Sequence, residues 1–121
     1  MGRPHFRDRG YTHEWDVLAT DFKQRNPWCC CCWASGARNR TVIIDHVVPV
    51  IDAPDRLLDP TNLQALCQHC HDTIKRELER RWRDGLIKTS DLDMRSDVAH
   101  TLHRKLHVPA IGIDGYPILG T

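Results

Sequence analysis

The chain has 121 residues, of which 40% are hydrophobic and 27% charged, and its formal net charge is +1. A chain of this length fits one domain, whose core is only marginally stable unless a further element, such as a bound metal, contributes. The small net charge excludes binding of polyanions through the overall field, so contacts with nucleic acid must depend on local basic patches. No apolar run approaches the ~20 residues of a membrane span, and we expect no membrane segment.

The first half of the chain alternates between helical, extended and irregular patterns. Apolar side chains recur at helical spacing over residues 13–26, and Pro27 limits the helix that this pattern predicts. The β-branched segment 41–44 predicts a short strand. The proline-rich segment 47–61 predicts an ordered loop without a regular element.

The second half is predicted to be mainly helical. One apolar stripe runs through residues 71–82, and Gly85 is expected to end this helix. A further helix is expected near residues 96–106, and residues 107–121 are predicted to form an irregular tail.

The chain contains six cysteines, and their setting favours metal binding over disulfide bonds. The segment MGRPHFRDRG has no apolar stretch typical of a secretion signal, so we expect a cytoplasmic protein with reduced thiols. Two C-x-x-C pairs are present, and this spacing lets both sulfur atoms of a pair bind one ion. The ligands predicted for a structural zinc ion are Cys29, Cys32, Cys67 and Cys70.

Cys30 and Cys31 lie between the ligands of the first pair. We interpret them as spacers that tolerate any small residue. In the alternative, one of them replaces a neighbouring ligand or acts as a redox sensor, which requires a group that activates the thiol.

Three histidines, His100, His103 and His107, share one face of the last predicted helix. No cysteine or carboxylate cluster accompanies them in the sequence, and Arg104 and Lys105 would repel a cation. We therefore interpret this face as solvent-exposed rather than as a metal site.

The segment from Pro27 to about Glu77 resembles the HNH endonucleases. The resemblance is carried by the DH pair of Asp45 and His46, by Asn62 in the context NLQALC, and by His71 directly after the second cysteine pair. The flanking stretches RGYTHEW and GIDGYP are similar to those of small HNH proteins of phages and prophages.

This resemblance implies an α+β fold with a small ββα-metal core, also called a His-Me finger, stapled by the four-cysteine zinc site. Residues 1–121 would form a single nuclease domain. Its parts would be a basic arm and helix over residues 1–26, the catalytic core over residues 27–84, and a helix and tail over residues 85–121.

The resemblance also implies the roles of the motif residues in phosphodiester hydrolysis. His46 would be the general base that activates water, and Asn62 would brace the loop and orient that base. Asp45 and His71 would bind one catalytic divalent ion, such as Mg²⁺ or Mn²⁺. Asp45 and His46 are adjacent on a strand, so both can serve one site only if the backbone twists there.

DNA is the implied partner, and basic side chains near the motif are the candidates for contacting its phosphates. We predict contacts from Arg38, Arg40 and Lys75 and only a weak sequence preference, because no base-reading element is evident. The other arginines after residue 75 alternate with glutamates at helical spacing, which is typical of an ion-paired exposed face.

Two other functions stay open at this stage. The zinc site and the basic residues would suffice for a non-catalytic nucleic-acid-binding module, and a protein with a decayed motif could be an adaptor. The intact DH, Asn and His set argues against decay. The family resemblance suggests phage DNA processing or packaging beside a terminase, in the cytoplasm of a bacterial or phage-infected host cell.

Overall fold

The structure is a computed structural model that describes residues 11–106. The basic N-terminal arm, His107 and the predicted tail lie outside the described residues. The regular elements are, in chain order, α1 (Tyr11–Arg25), α2 (Cys30–Ala34), β1 (Ile43–His46), β2 (Leu63–Leu66), α3 (Arg76–Arg83) and α4 (Asp97–Leu106).

The first helix, α1, confirms the predicted segment and ends at Arg25. The side chain of Asn26 donates to the Phe22 carbonyl at 2.9 Å, which satisfies a backbone acceptor left open at the helix end. Pro27 follows and has no N–H to continue the helical ladder, so the chain leaves α1 at this point.

The strands β1 and β2 form a two-stranded antiparallel sheet in which Asp45 pairs with Gln64 and His46 with Leu63. The predicted strand was placed two residues too early. The backbone N–H of Thr41 donates to the Pro27 carbonyl at 2.8 Å, so Thr41 is held by the segment after α1, whereas the N–H of Val42 already donates to Leu66 of β2 at 2.9 Å. The DH pair forms the last two residues of β1, at the end of the strand as expected.

The loop between the strands is ordered, as predicted, but it contains two short 3₁₀ turns, Pro54–Arg56 and Pro60–Asn62. Each turn starts with a proline, whose fixed φ suits the first position of a helical turn. The Asp59 side chain caps the second turn by accepting from the Thr61 N–H at 2.9 Å. The prediction that this segment has no regular element was wrong in this respect.

The predicted helix 71–82 is present, with wide π-helical turns over Cys70–Lys75 that continue into α3. Gly85 follows the helix with φ +75, a left-handed conformation that glycine adopts without steric cost. It donates to the Trp82 carbonyl at 3.0 Å and ends the helix as predicted.

The predicted last helix is also present and begins one residue after Ser96, whose side chain accepts from the Ala99 N–H at 3.1 Å. The core lies between this helix, the sheet and α3, and it surrounds the cysteines. Its fully or nearly fully buried apolar side chains are Leu66, Ile74, Leu78, Leu92, Met94, Ala99 and Leu102. Among residues 11–106, no helix is both long and apolar enough to cross a membrane.

Candidate active site and metal centre

The two C-x-x-C pairs meet in the centre of the core. The sulfur atoms of Cys29, Cys32, Cys67 and Cys70 all lie within 4.8 Å of one another, and all four residues are buried. The Cys32 sulfur is 3.6 Å from that of Cys70 and 3.8 Å from that of Cys67. Zn–S bonds of about 2.3 Å in a tetrahedron place sulfur atoms about 3.8 Å apart, so this cluster fits a zinc ion.

Polar contacts link the four thiols of the cluster to one another. Hydrogen bonds from Cys32, Cys67 and Cys70 lower the pKa of Cys29, whereas the hydrogen bond with Cys29 raises the pKa of Cys32 and of Cys70. The Asn39 side chain donates to the Cys32 sulfur at 3.3 Å from outside the cluster. Donors of this kind orient metal ligands and reduce the charge on the sulfur.

The two spacer cysteines have different surroundings. Cys30 is half-buried, and burial, followed by the neighbouring Cys29, raises the pKa of its thiol to about 12. Such a thiol is neutral and unreactive at neutral pH. Cys31 is fully buried in the core, so a residue at this position must also fit the packing around the cysteine cluster.

The environment of His103 corrects the prediction of a solvent-exposed histidine face. Only 6% of His103 is exposed, and one of its ring nitrogen atoms lies within 4.8 Å of the sulfur atoms of Cys31 and Cys70. The sequence of α4 gave no sign of this contact, because a cysteine cluster distant in the chain provides the neighbours. α4 is therefore packed directly against the metal centre.

Asp45 and His71 lie face to face at the junction of β1 and the helix that follows Cys70. The Asp45 Oδ1 atom is 3.8 Å from the His71 Nε2 atom. One ion with bonds of roughly 2.1 Å to both atoms requires them to be no more than about 4.2 Å apart. The pair therefore has the separation and the ligand types of a divalent-cation site.

A neighbouring carboxylate orients His71. The His71 Nδ1 and Asp72 Oδ1 atoms are 3.0 Å apart, and hydrogen bonds from His71 and Gln68 lower the pKa of Asp72. An ionised carboxylate only accepts, so Nδ1 carries a proton, and in the neutral ring the lone pair lies on Nε2, on the side of Asp45. This is the usual arrangement of a metal-binding histidine and its outer partner.

Two donors engage the other oxygen of Asp45. The Oδ2 atom accepts from Gln64 Nε2 and from Lys75 Nζ, each at 2.9 Å. Lys75 also donates to the His46 carbonyl at 2.9 Å and to Glu79 at 2.7 Å, and it is only 1% exposed. The expectation that Lys75 contacts DNA is therefore corrected, because its ammonium group is buried and fully engaged inside the site.

The His46 ring lies between α1 and the loop that joins the two strands. Its ring stacks on Trp15 of α1 with 4.7 Å between ring centroids, and its Nε2 atom is 2.9 Å from the Leu57 carbonyl oxygen. A carbonyl only accepts, so Nε2 carries a proton, and in the neutral ring the lone pair lies on Nδ1. Trp15 belongs to the apolar pattern of residues 13–26, and that pattern carries no signal for this stacking.

Asn62 is fully buried and binds the backbone just beyond His46. Its Oδ1 accepts from the Val48 N–H at 2.9 Å, and its Nδ2 donates to the Val48 carbonyl at 3.0 Å. The Asn62 carbonyl accepts from the Val47 N–H at 2.8 Å. These contacts tie the start of the long loop to its end and fix the backbone next to His46.

The comparisons with known proteins agree with this geometry. The HNH endonuclease family matches residues 29–77. The crystal structure of the HNH endonuclease of the deep-sea thermophilic bacteriophage GVE2, with manganese ion, is 32% identical in sequence, with a TM-score of 0.55. The match covers 63% of this chain and 84% of the phage protein's chain. The chain belongs to the HNH endonuclease family.

Membership confirms the resemblance seen in the sequence and the predicted α+β fold with a four-cysteine cluster. It also confirms the enzyme class, a nuclease. The comparison with curated proteins gave no match.

The basic side chains near the HNH motif differ in how they are engaged. The arginines at the end of α3 are ion-paired. Arg80 and Arg81 pair with Glu77 at helical spacing, as the alternating charges predicted, whereas Arg83 pairs with Asp52 of the long loop. Arg76 is exposed, and no carboxylate of residues 11–106 lies within salt-bridge distance of it. Together with His71 it lines an open cavity of about 370 Å³, which makes Arg76 a candidate that the sequence did not single out.

We expect zinc content to separate the ligand cysteines from the spacers. Cys67→Ser should lose the bound zinc and most of the folded structure, because metal binding and folding are coupled in structural zinc sites. Cys30→Ser is the matched control and should keep one zinc ion per chain. Elemental analysis combined with thermal melting followed by circular dichroism measures both. Loss of zinc from Cys30→Ser would contradict the ligand assignment.

Removing the buried lysine should destabilise the nuclease. Lys75→Met leaves Asp45 and Glu79 without their shared cation, and breaking a buried pair typically costs about 3 kcal/mol. Arg81→Met removes a more exposed ion pair with Glu77 and should cost less than about 1 kcal/mol. Urea unfolding gives both values. Equal effects of the two substitutions would show that Lys75 is not an organising cation.

Proposed function

We propose that this HNH endonuclease hydrolyses phosphodiester bonds of DNA with one divalent ion held by Asp45 and His71 and with His46 as general base. The observation that carries the proposal is the 3.8 Å separation of Asp45 Oδ1 and His71 Nε2, with hydrogen bonds to the other polar atom of each side chain. Asp45 Oδ1 and His71 Nε2 could therefore both bind one ion placed between them without a change in either side chain.

The donor set fits a hard or borderline divalent ion. A carboxylate oxygen and an imidazole nitrogen suit Mg²⁺, Mn²⁺ or Zn²⁺, and a site with two protein ligands retains positions for water and phosphate. When bound, such an ion would polarise the scissile phosphate and stabilise charge on the leaving oxygen. The manganese ion in the phage endonuclease supports this choice of metal class.

His46 would accept the proton of the attacking water on Nδ1. The Leu57 carbonyl holds the proton on Nε2, and the stacked Trp15 ring fixes the plane of the imidazole. A base held in this way needs little reorganisation when the reaction starts. Asn62 would act as a positioning residue, because it contacts the backbone beside His46 and not the reacting atoms.

The substrate phosphates would be contacted by exposed arginines that form no salt bridge with a carboxylate of residues 11–106. Arg76 beside His71 would bind the phosphate nearest the site, and Arg38 and Arg40 would bind phosphates further along the strand. Contacts of this kind read no bases, so we propose weak sequence preference.

The four-cysteine cluster would hold a structural zinc ion, since four buried sulfur ligands leave no open coordination position for a substrate. We further propose a role in phage DNA processing or packaging beside terminase or other packaging proteins; the likeness to a phage endonuclease supports the phage setting of this proposal. The enzyme would then act in the cytoplasm of a bacterial or phage-infected cell.

Two substitutions distinguish the proposed base from the proposed metal ligand. His46→Ala should abolish nicking of supercoiled plasmid and keep Mn²⁺ affinity, whereas His71→Ala should lose nicking and weaken Mn²⁺ binding by at least about tenfold. His13→Ala, an exposed histidine of α1, is the matched control and should change neither. Gel assays measure nicking, and calorimetric titration of the zinc-loaded protein measures Mn²⁺ binding. Unchanged Mn²⁺ affinity in His71→Ala would reject the ligand assignment.

Nicking should depend on pH through the general base. An imidazole accepts a proton only while neutral, and histidines change charge between about pH 5 and 8, so the rate at saturating Mn²⁺ should rise across that range. DNA affinity measured in parallel should stay constant or fall as the pH rises, because the protein carries more positive charge at acidic pH. Sound DNA binding with no metal-dependent nicking at any of these pH values would favour a non-catalytic zinc module.

A further inference from the structure

Two indoles and two arginines form a continuous array beside the cysteine cluster, in which Trp33, Arg38 and Arg40 are exposed and Trp28 is half-buried. The guanidinium carbon of Arg38 lies 4.9 Å from the ring centroid of Trp33 and 5.6 Å from that of Trp28. The guanidinium carbon of Arg40 lies 5.2 Å from the Trp28 centroid. We call these four residues the Trp–Arg surface.

The Trp–Arg surface is rigid because the cysteine cluster holds both indoles. Trp28 immediately precedes Cys29, and Trp33 immediately follows Cys32, so each indole is one residue from a predicted zinc ligand. Trp28 also forms a backbone bridge with Arg40. The rings are thus presented on a fixed support, which reduces the entropy lost when a ligand binds.

The exposure of Trp33 is larger than packing alone explains. Its exposed fraction is 54%, whereas a tryptophan that serves the core hides most of its ring. A cavity of about 290 Å³ opens between Trp28 and Trp33, with the side chain of Cys30 in its wall and Arg25 and Arg95 at its rim. This volume is near the lower end of the roughly 300–1,000 Å³ typical of small-molecule sites.

The charges of this surface are available to an anion. No carboxylate of residues 11–106 lies within salt-bridge distance of Arg38 or Arg40, in contrast to the ion-paired arginines of α3. A second cavity, lined by Arg40 and Lys23, lies beside the first and shares Pro27 with it. Cations alternating with aromatic faces are the combination by which proteins bind unpaired nucleic acid.

The position of the surface relates it to the proposed catalytic site. Arg40 precedes Asp45 by five residues of largely extended chain, which span at most about 17 Å at roughly 3.3 Å per residue. Along one DNA strand this distance corresponds to about five nucleotides at 3.4 Å each. One strand of a substrate could therefore reach both places.

From these observations we infer that the Trp–Arg surface binds an unpaired segment of the DNA substrate, several nucleotides from the scissile phosphate. Bases would stack on the indoles, and Arg38 and Arg40 would pair with the phosphates. Bases inside a duplex stack on each other and cannot offer a face to Trp33, so the enzyme would favour DNA with a single-stranded end or gap. This inference rests on the proposed function, because DNA is taken as the substrate.

Binding of fluorescent oligonucleotides to the zinc-loaded protein without added Mg²⁺ or Mn²⁺ tests the inference. At one fixed salt concentration, Trp33→Leu should weaken binding of single-stranded oligo-dT about tenfold and binding of a blunt duplex less than twofold. Trp33→Phe keeps an aromatic face and should stay within about threefold of the wild type for both ligands. Zinc content and circular dichroism verify that each variant is folded.

Arg38→Gln provides a second variant that does not alter an indole. It should weaken single-strand binding and lower its salt dependence, because one phosphate contact is lost. Arg80→Gln is the matched control, since Arg80 is an exposed arginine that is ion-paired with Glu77 and Asp84 on α3. It should leave single-strand affinity unchanged.

The outcomes separate this inference from the proposed function. If the wild type nicks plasmid but neither Trp33→Leu nor Arg38→Gln affects single-strand binding, the inference is wrong and the proposed function stands. Equal weakening of single-strand and duplex binding by Trp33→Leu would also overturn it, because the surface would then contact only phosphates. If wild-type protein fails to nick plasmid with any ion while Trp33-dependent single-strand binding persists, the inference holds and the cleavage proposal fails.

Discussion

The convergence of four cysteine sulfurs in one buried cluster is the constraint on which the rest of the structure depends. The cluster joins the turn after α1 to the end of β2, and these segments are distant in sequence. A chain of 121 residues has few apolar side chains with which to build a large core, and here the cysteines are themselves part of the core. A metal ion at this point would replace much of the packing that a larger domain obtains from hydrophobic burial. His71 follows the last of these cysteines directly, so the same link also positions the proposed catalytic ligand.

A buried lysine organises the proposed active site from within. Lys75 binds the carboxylate of Asp45, the backbone of His46 and the carboxylate of Glu79, which connects the strand to the helix. Its charge is balanced by two acids, and this makes its burial energetically acceptable. Because Lys75 and Gln64 engage one oxygen of Asp45, the other oxygen is directed towards His71. The ammonium group of Lys75 thus orients the Asp45 carboxylate without occupying the position proposed for the metal.

Sequence patterns predicted the parts of this protein that depend on local spacing. The C-x-x-C pairs, the helix of α1 and the glycine after α3 each follow from a few neighbouring residues. The missed features depend on contacts between distant segments. Lys75 lies one position beyond Ile74 and looked like part of a polar face, but the wide turns at Cys70–Lys75 rotate it into the site. His103 and Trp15 looked ordinary in their helices, because their partners Cys70 and His46 are contributed by other elements.

The adjacency of Cys70 and His71 has a mechanical consequence. One peptide bond joins Cys70, whose sulfur belongs to the cysteine cluster, to His71, whose imidazole faces Asp45. Both residues lie in the same wide helical turn. A larger ion such as cadmium in the cluster would lengthen its bonds to sulfur and displace the start of that turn. The displacement would reach His71 through the backbone of this turn. The distance between His71 and Asp45 is therefore linked to the geometry of the cysteine cluster, although the two positions share no ligand.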